Sequence, residues 1–379
     1  MRAWPVVTLW LVVLPLLVLP RAYWDARQLQ AAWLPVLGIL AVGGLLIRER
    51  PALRWPALLG GYIALNTGLR GFSPPTSILA LAGILAVGAL LLVSTRLPAA
   101  TMATALAVLG LIHLAAFVVQ LAVGWHPSGS LFAGGWVTTA EVPEHIRYAG
   151  IMENRASAAY LLAVTAPWMV WWLIDSARTD RLSWGVALLL AMLVCSAAAF
   201  AVWRVLGGLL AITTGVPVLL LVADGPRSRR VAVSLAAMIG LVGLYWLTVD
   251  APGWERGPIY LRALQDWWAS PRLALFGHGL GSWALLGLGI SANAWWVSVH
   301  NDWLQLGYEV GLIGVVLFAG AAVQTVRGFL RRGDALGSMG LVSAVAWLVA
   351  SVVYFPLHVP ALAGVGAALV VVAQHTEAG

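Results

Sequence analysis

A histidine and three further polar side chains at regular spacing are the residues of this chain best suited to chemistry. His300 is followed by Asp302, Gln305 and Glu309. Spacings of three and four residues place the last three on one helical face, and ionisable groups at membrane depth face a bundle interior or a cavity. A histidine with a pKa near its ordinary value of about 6.5 accepts a proton at neutral pH, which suits activation of a sugar hydroxyl.

A simpler explanation exists for the same stretch. It would be a helix N-terminus with polar capping groups, and His300 would lie at the level of the lipid headgroups. Asn301 belongs to the same polar run. We favour a functional site, because burying such a cluster in hydrocarbon is costly.

Two arginines are candidates for binding an anionic group. Arg204 interrupts an apolar stretch where the chain turns at the outer surface, and Arg256 lies in the segment from Glu255 to Tyr260 of an outer loop. The planar guanidinium binds phosphate oxygens in pairs and can neutralise charge that grows on a diphosphate leaving group. Snorkelling of Arg204 and plain solvation of Arg256 are the structural alternatives.

Two further motifs are less specific. Asn154 and Arg155 open a helix of small residues, for which close helix packing explains the pattern as well as a ligand role does. The glycine-spaced run at 277–281 favours a re-entrant or interfacial segment. The sequence leaves open whether three other arginines bind phosphate: Arg147, Arg262 and Arg272.

Patterns typical of metal and nucleotide sites are missing from the sequence. It contains no Asp-x-Asp pair, no His-Glu-x-x-His motif and no lysine for a phosphate-binding loop. Its basic residues are scattered over many short loops rather than gathered into one patch, which argues against nucleic acid as a partner. We therefore expect no metal and no cofactor.

The elements that must position these residues are membrane helices. The chain of 379 residues is 61% hydrophobic and 10% charged, with a mean hydropathy of +0.90. Its apolar runs of about 17 to 25 residues match the thickness of a bilayer, so we predict an all-α polytopic membrane protein with about twelve spans. The predicted spans are 4–20, 31–47, 52–69, 76–94, 98–124, 156–174, 182–203, 206–223, 231–249, 300–325, 335–354 and 357–373.

The loops indicate one domain and an orientation. An even number of spans places both termini on one side, and the arginine distribution places them inside. Two long outer segments, 125–155 and 250–299, offer room for a site on the outer face. No soluble domain interrupts the chain, so we expect one membrane domain over 1–379.

One motif resembles a known family. His300-Asn301-Asp302-x-Leu304-Gln305, with Glu309-x-Gly311-Leu312-Ile313-Gly314 after it and Gly277-x-Gly279-x-Gly281 before it, is similar to the signature of the O-antigen ligase and polymerase superfamily. The likeness extends over residues 150–314. Its members are metal-independent membrane glycosyltransferases with a GT-C-like helical fold, and they use undecaprenyl-diphosphate-linked glycans on the periplasmic face of the bacterial inner membrane.

The resemblance implies roles for individual residues. Arg204 and Arg256 would hold the donor diphosphate, and His300 would activate the acceptor hydroxyl. Asn154 and Arg155 match the family's asparagine-containing motif, although Ala156 and Ser157 stand where an asparagine-histidine pair is common, and Trp203 precedes Arg204 where serine is usual. Asn154, Arg155, Asn301, Asp302, Gln305 and Glu309 are candidate supporting residues.

The expected function is therefore transfer of a glycan from undecaprenyl diphosphate to an acceptor hydroxyl. A ligase acting on lipid A-core is favoured slightly over a polymerase acting on a growing glycan. A transporter for a lipid-linked sugar is the rival of another class, although the sequence shows no inverted repeat and no matching pair of broken helices. Besides the glycan donor and its acceptor, membrane lipids are the expected partners.

Overall fold

A computed structural model describes about half of the chain. The described residues are 18–19, 54–70, 97–130, 135–138, 147–152, 154–177, 191, 194–199, 201–203, 205, 208, 256–283 and 298–374. The predicted spans 31–47, 76–94 and 231–249 lie outside them, as do nearly all of 206–223 and most of 4–20 and 182–203. Arg204 also lies outside the described residues.

Helices make up most of the described structure. They are α1 (Arg54–Arg70), α2 (Ala99–Val123), α3 (Arg155–Ala177), α4 (Arg256–Trp267), α5 (Pro271–Phe276), α6 (Asp302–Arg332), α7 (Ala335–Val353) and α8 (Pro360–Gln374), with a 3-10 turn at Pro356–His358 between the last two. The helices α4 and α5 occupy the segment predicted as the second outer loop.

Four of these helices are long and apolar enough to cross a membrane. They are α2, the first 19 residues of α3, α6 and α7. Their bounds lie within a few residues of the predicted spans, except that α6 continues to Arg332 instead of ending at residue 325. The prediction of a helical membrane protein is confirmed at this level.

The spanning helices α2, α3 and α7 pack side by side around an apolar core. Trp168 of α3 donates from Nε1 to Ser343 Oγ of α7 at 2.9 Å, and Ser343 Oγ donates to the carbonyl of Val164 at 2.5 Å. The side chains of Trp168 and Leu106 are fully buried. These contacts pair α3 with α7. Ser157 at the start of α3 also contacts Tyr354 directly after α7, so the start of α3 and the end of α7 lie at the same end of the bundle.

The opposite end of the bundle contains the turn between α6 and α7. Arg331 and Arg332 close α6, where their charge complements the helix dipole. Asp334 caps α7 by accepting from Gly337 N at 2.7 Å, and it pairs with Arg332 NH2 at 3.0 Å. Burial acts to raise the pKa of Asp334, but the hydrogen bonds from Arg332 and Gly337 lower it below its ordinary value.

A small antiparallel sheet adds three strands that the sequence did not predict: β1 (Val18–Leu19), β2 (Trp125–Ser130) and β3 (Gly135–Thr138), in the order β1-β2-β3. Residues 18 and 19, at the end of the span predicted near 4–20, lie in this sheet, and the rest of that span lies outside the described residues. Leu19 precedes Pro20, and the α-helical backbone is disfavoured at a residue that precedes proline.

A break interrupts α6 about a third of the way along its length. Gly311 has φ 74° and ψ −175°, so the helix stops and restarts there. A β-carbon at Gly311 would overlap the carbonyl group of Leu275 and lie 2.5 Å from Phe276 N. Only glycine allows both this backbone conformation and this approach of α5.

The glycine-rich turn after α5 binds the backbone that the break exposes. His278 N donates to the carbonyl of Tyr308 at 2.8 Å, and Gly279 N donates to that of Glu309 at 2.8 Å. Tyr62 of α1 donates from its hydroxyl to the carbonyl of Val310 at 2.8 Å. This segment therefore packs against the first third of α6, and the interpretation as a re-entrant or interfacial segment stays a prediction.

Candidate functional site

The start of α3 and the end of α7 meet through a small polar cluster. Asn154 caps α3, because its Oδ1 accepts from Ser157 N at 2.8 Å. The hydroxyl of Tyr354 lies 2.6 Å from Ser157 Oγ and 3.4 Å from the Asn154 side chain. Asn154 thus has the structural role of a helix cap, and it also fixes the aromatic residue that follows α7.

A row of aromatic rings leads from this cluster to His300. Tyr160 stacks on Tyr354 with ring centroids 4.7 Å apart, and Tyr354 stacks on Phe355 at 4.1 Å. The ring of His300 meets Phe355 edge to face at 4.7 Å, with an interplanar angle of 80°. The residues after α7 therefore place His300 beside the N-terminal end of α3.

Arg256 reaches the same place from the first residue of α4. Its NH1 donates to the carbonyl of Val353 at 3.1 Å, one of the last carbonyls of α7. The guanidinium also bonds to the hydroxyl of Tyr260 and interacts electrostatically with Tyr160. A cation at the C-terminal end of a helix is favoured by the helix dipole, which helps to hold Arg256 in position.

Tyr260 connects Arg256 with His300. Its hydroxyl donates to the His300 carbonyl at 3.1 Å. Burial raises the pKa of Tyr260, and the neighbouring charge of Arg256 opposes this shift, so the phenol is neutral and acts as a donor at neutral pH. The two residues predicted to act on the donor and the acceptor thus share Tyr260 and the segment from Val353 to Phe355.

The backbone of His300 adopts a conformation that is unusual for its residue type. Its φ is 58°, in the left-handed region that favours glycine. Non-glycine residues in this region are uncommon and cluster at functional sites. Tyr260 holds the carbonyl and Phe355 packs against the ring, so the neighbours stabilise this conformation.

The polar residues of α6 share a buried face, as the spacing predicted. Asp302, Gln305 and Glu309 are each at most 3% exposed. Asn301 lies just before this helix and caps it, accepting from Leu304 N at 3.0 Å. The capping explanation is therefore correct for Asn301.

The buried polar face of α6 organises the neighbouring loops. Gln305 accepts from Val299 N at 3.0 Å and donates to Glu309 at 3.1 Å. The carboxylate of Glu309 accepts from the backbone of Gly281 and Trp283, which belong to the turn after α5. Gln305 and Glu309 therefore support the segments on either side of the site.

Asp302 binds the residues that follow α7. Its Oδ2 accepts from Leu357 N at 2.9 Å, and its Oδ1 lies 2.9 Å from His358 Nδ1. The side chain of Asp302 is fully buried, and that of His358 is 33% exposed. His358, Tyr354 and Phe355 were not predicted as site residues, although a tyrosine, a phenylalanine and a histidine directly after an apolar span were a usable signal.

The side chains of Arg155 and Arg262 each have a hydrogen-bond partner. Arg155 Nε donates to the carbonyl of Arg147 at 3.0 Å, which ties the preceding loop to the start of α3. Arg262 pairs with Asp266 one turn further along α4 at 2.7 Å, and its side chain is 53% exposed. Arg204 lies outside the described residues, but Trp203 beside it donates to the carbonyl of Tyr148 at 2.7 Å.

The described residues contain no group of three or more histidine, cysteine, aspartate or glutamate side chains that could hold a metal ion. The chemical groups gathered in this part of the chain are a guanidinium, tyrosine hydroxyls, two imidazoles and a buried carboxylate. Such a set can bind an anion and accept a proton.

Comparison with known proteins adds no relative. No protein-family model matches the chain, and a search of the curated proteins finds no significant match. The similarity to the O-antigen ligase and polymerase superfamily therefore rests on the motifs alone.

Proposed function

We propose that this protein is a membrane glycosyltransferase that moves a glycan from undecaprenyl diphosphate to an acceptor hydroxyl. The observation that carries the proposal is the shared position of Arg256 and His300 around Tyr260 and the end of α7. An arginine and a histidine at one end of a helical bundle suit a reaction in which an anion leaves and a hydroxyl loses its proton.

The proposed reaction inverts the anomeric carbon. The acceptor oxygen forms a bond to that carbon while the bond to the diphosphate oxygen breaks, and its electron pair stays on the diphosphate. Arg256 and Arg204 neutralise the charge that develops on the leaving group. The hydroxyl proton passes to a histidine beside Phe355, and the sequence predicts His300 for this step.

The proposal includes the orientation of the helices in the membrane. The start of α3, the start of α6 and the end of α7 would face the periplasm, and the end of α6, with Arg331 and Arg332, would face the cytoplasm. This agrees with the excess of arginine expected on the inner side of a membrane. The protein would lie in the bacterial inner membrane with twelve spans in all.

The acceptor in the proposal is lipid A-core, which would make the protein an O-antigen ligase. A polymerase uses the same donor chemistry with a growing glycan as acceptor, so the product separates the two activities. A transporter of a lipid-linked sugar would move the donor without forming a new covalent bond.

The test uses the protein in nanodiscs with a labelled undecaprenyl-diphosphate glycan, lipid A-core and a chelator. Label on lipid A-core would support a ligase, and a ladder on the carrier would indicate a polymerase. Flux of the donor without any product would support the transporter. No product from native substrates would contradict the transferase proposal.

A matched pair of variants links the activity to the site. Arg256→Gln removes the guanidinium at the end of α7, and Arg262→Gln removes an exposed guanidinium from the same helix. We expect a loss of about 10²-fold or more in kcat for Arg256→Gln, because a positioned donor to the developing charge is gone. Arg262→Gln keeps the wild-type rate, and equal effects of both variants would refute the role of Arg256.

A further inference from the structure

A second histidine lies beside the candidate site, and a buried carboxylate orients it. Asp302 accepts from Leu357 N with one oxygen, and its other oxygen lies 2.9 Å from His358 Nδ1. The side chain of Asp302 has no exposed surface, whereas that of His358 is 33% exposed. A carboxylate behind a partly exposed imidazole is an arrangement that enzymes use to orient a general base.

The hydrogen bond determines which nitrogen of His358 is basic. In its ionised form the Asp302 carboxylate can only accept, and in that form of the pair His358 Nδ1 carries the hydrogen. In the neutral ring Nε2 is then the nitrogen with the lone pair, and it is the atom that can take a proton from a hydroxyl. Asp302 stabilises the imidazolium that forms when Nε2 is protonated.

Phe355 places the two histidines at one site. Its ring centroid lies 4.7 Å from that of His300 and 6.4 Å from that of His358. His300 is joined to Tyr260 through its carbonyl, and Tyr260 is joined to Arg256. His300 is thereby suited to holding the tyrosine that positions the guanidinium.

We propose that His358 is the proton acceptor of the glycosyl transfer and that Asp302 is its positioning residue. This inference rests on the proposed function and assigns one step of it. As the acceptor oxygen bonds to the anomeric carbon, its proton moves to His358 Nε2, and the electron pair of the broken bond leaves with the diphosphate. His300 then acts through Tyr260 on the position of Arg256.

A purely structural explanation gives a different expectation for one substitution. The Asp302 carboxylate could serve only to fasten the turn at Pro356–His358 to α6. Asp302→Asn has the same shape and keeps an oxygen for Leu357 N, but its amide nitrogen cannot accept from His358 Nδ1. The amide would instead donate to Nδ1, so the hydrogen of the ring would move to Nε2, and that atom could no longer take a proton.

The experiment compares His358→Ala, His300→Ala and Asp302→Asn with wild type in the nanodisc transfer assay, with and without added imidazole. Size-exclusion profiles check that each variant is folded. We expect His358→Ala and Asp302→Asn to lose about 10²- to 10⁴-fold in kcat with KM little changed. Imidazole restores activity to His358→Ala and not to His300→Ala.

Three outcomes would overturn the assignment. Imidazole could rescue His300→Ala instead of His358→Ala, it could rescue neither, or Asp302→Asn could keep the wild-type kcat. In each case the wild-type protein still transfers glycan, so the proposed function survives. A wild-type protein that forms no product would instead refute the proposed function, and this inference with it.

Discussion

The break in α6 gives a quantitative prediction about Gly311. Gly311 has φ 74° and ψ −175°, a region that is populated almost only by glycine, and an alanine held there costs about 1–3 kcal/mol. The β-carbon of that alanine would overlap the carbonyl group of Leu275, and overpacking of this kind costs about 1–3 kcal/mol. We expect Gly311→Ala to lower the free energy of unfolding by about 2–6 kcal/mol.

Three other glycines separate the two contributions. Gly333 has φ 66°, and a β-carbon added there would have no atom within 4 Å, so its alanine variant reports backbone strain alone. Gly328 is helical, and a β-carbon there would overlap the Ala373 carbonyl, so its variant reports the overlap alone. Gly60 has neither feature, and alanine there should stabilise α1 by about 0.5–1 kcal/mol.

The measurement is unfolding in mixed micelles titrated with dodecyl sulfate and followed by tryptophan fluorescence. The expected order of stability is Gly60→Ala, wild type, then Gly333→Ala and Gly328→Ala, with Gly311→Ala lowest. If Gly311→Ala lost no more than Gly333→Ala, α5 would not pack against α6 as described. The reasoning about the break would then be refuted.

Three further predictions use the same unfolding measurement. Asp334→Ala removes a helix cap and should lower the free energy of unfolding by about 0.5–2 kcal/mol at neutral pH. The pKa of Asp334 is lowered in the folded state, so the difference in stability between this variant and wild type should shrink as the pH falls below 3.8. Gln120→Leu removes both hydrogen bonds to Gly150, each 2.8 Å long. It should lower the free energy of unfolding by about 1–3 kcal/mol for each backbone group left unsatisfied. A decrease of less than about 0.5 kcal/mol would contradict this prediction. Tyr354→Phe keeps the ring stacking but removes the hydroxyl that lies 2.6 Å from Ser157 Oγ. We expect it to lower the free energy of unfolding by about 1–3 kcal/mol. An unchanged stability would show that this hydroxyl does not hold α3 against α7.

The spanning helices could be predicted because their signal is local. A run of apolar residues as long as a bilayer is thick predicts a helix whatever surrounds it, and α2, α3 and α7 begin and end within about three residues of the predicted bounds. The break in α6 could not be predicted in this way. It depends on the backbone of α5, which lies more than thirty residues earlier in the chain.

The site was predicted in part for the same reason. Spacing alone indicated that Asp302, Gln305 and Glu309 share a buried face. It could not indicate that Asp302 binds Leu357 and His358, because those contacts join residues 55 and 56 positions apart. For Asn154 the sequence made close packing at least as good an explanation as ligand binding, and the hydrogen bond from Ser157 N shows that Asn154 caps α3.

The broken helix itself bears on the rival function of transport. Transporters use discontinuous helices because the exposed carbonyls and half-helix ends bind ions and substrates near the midplane. Here protein donors already occupy the carbonyls of Tyr308, Glu309 and Val310, from the turn after α5 and from Tyr62. Each of these carbonyls therefore has a hydrogen-bond donor within the protein, and the backbone that the break frees is paired without an ion.

The same break has a clear consequence for the site. It anchors α5, and Trp267 at the end of α4 donates from Nε1 to the Ala274 carbonyl of α5 at 3.0 Å. The ring of Trp267 also packs closely over Gly307 of α6. These contacts fix the end of α4, and Arg256 at its start contacts the end of α7. A rigid α4 is what the proposed role of Arg256 in binding a departing anion would require.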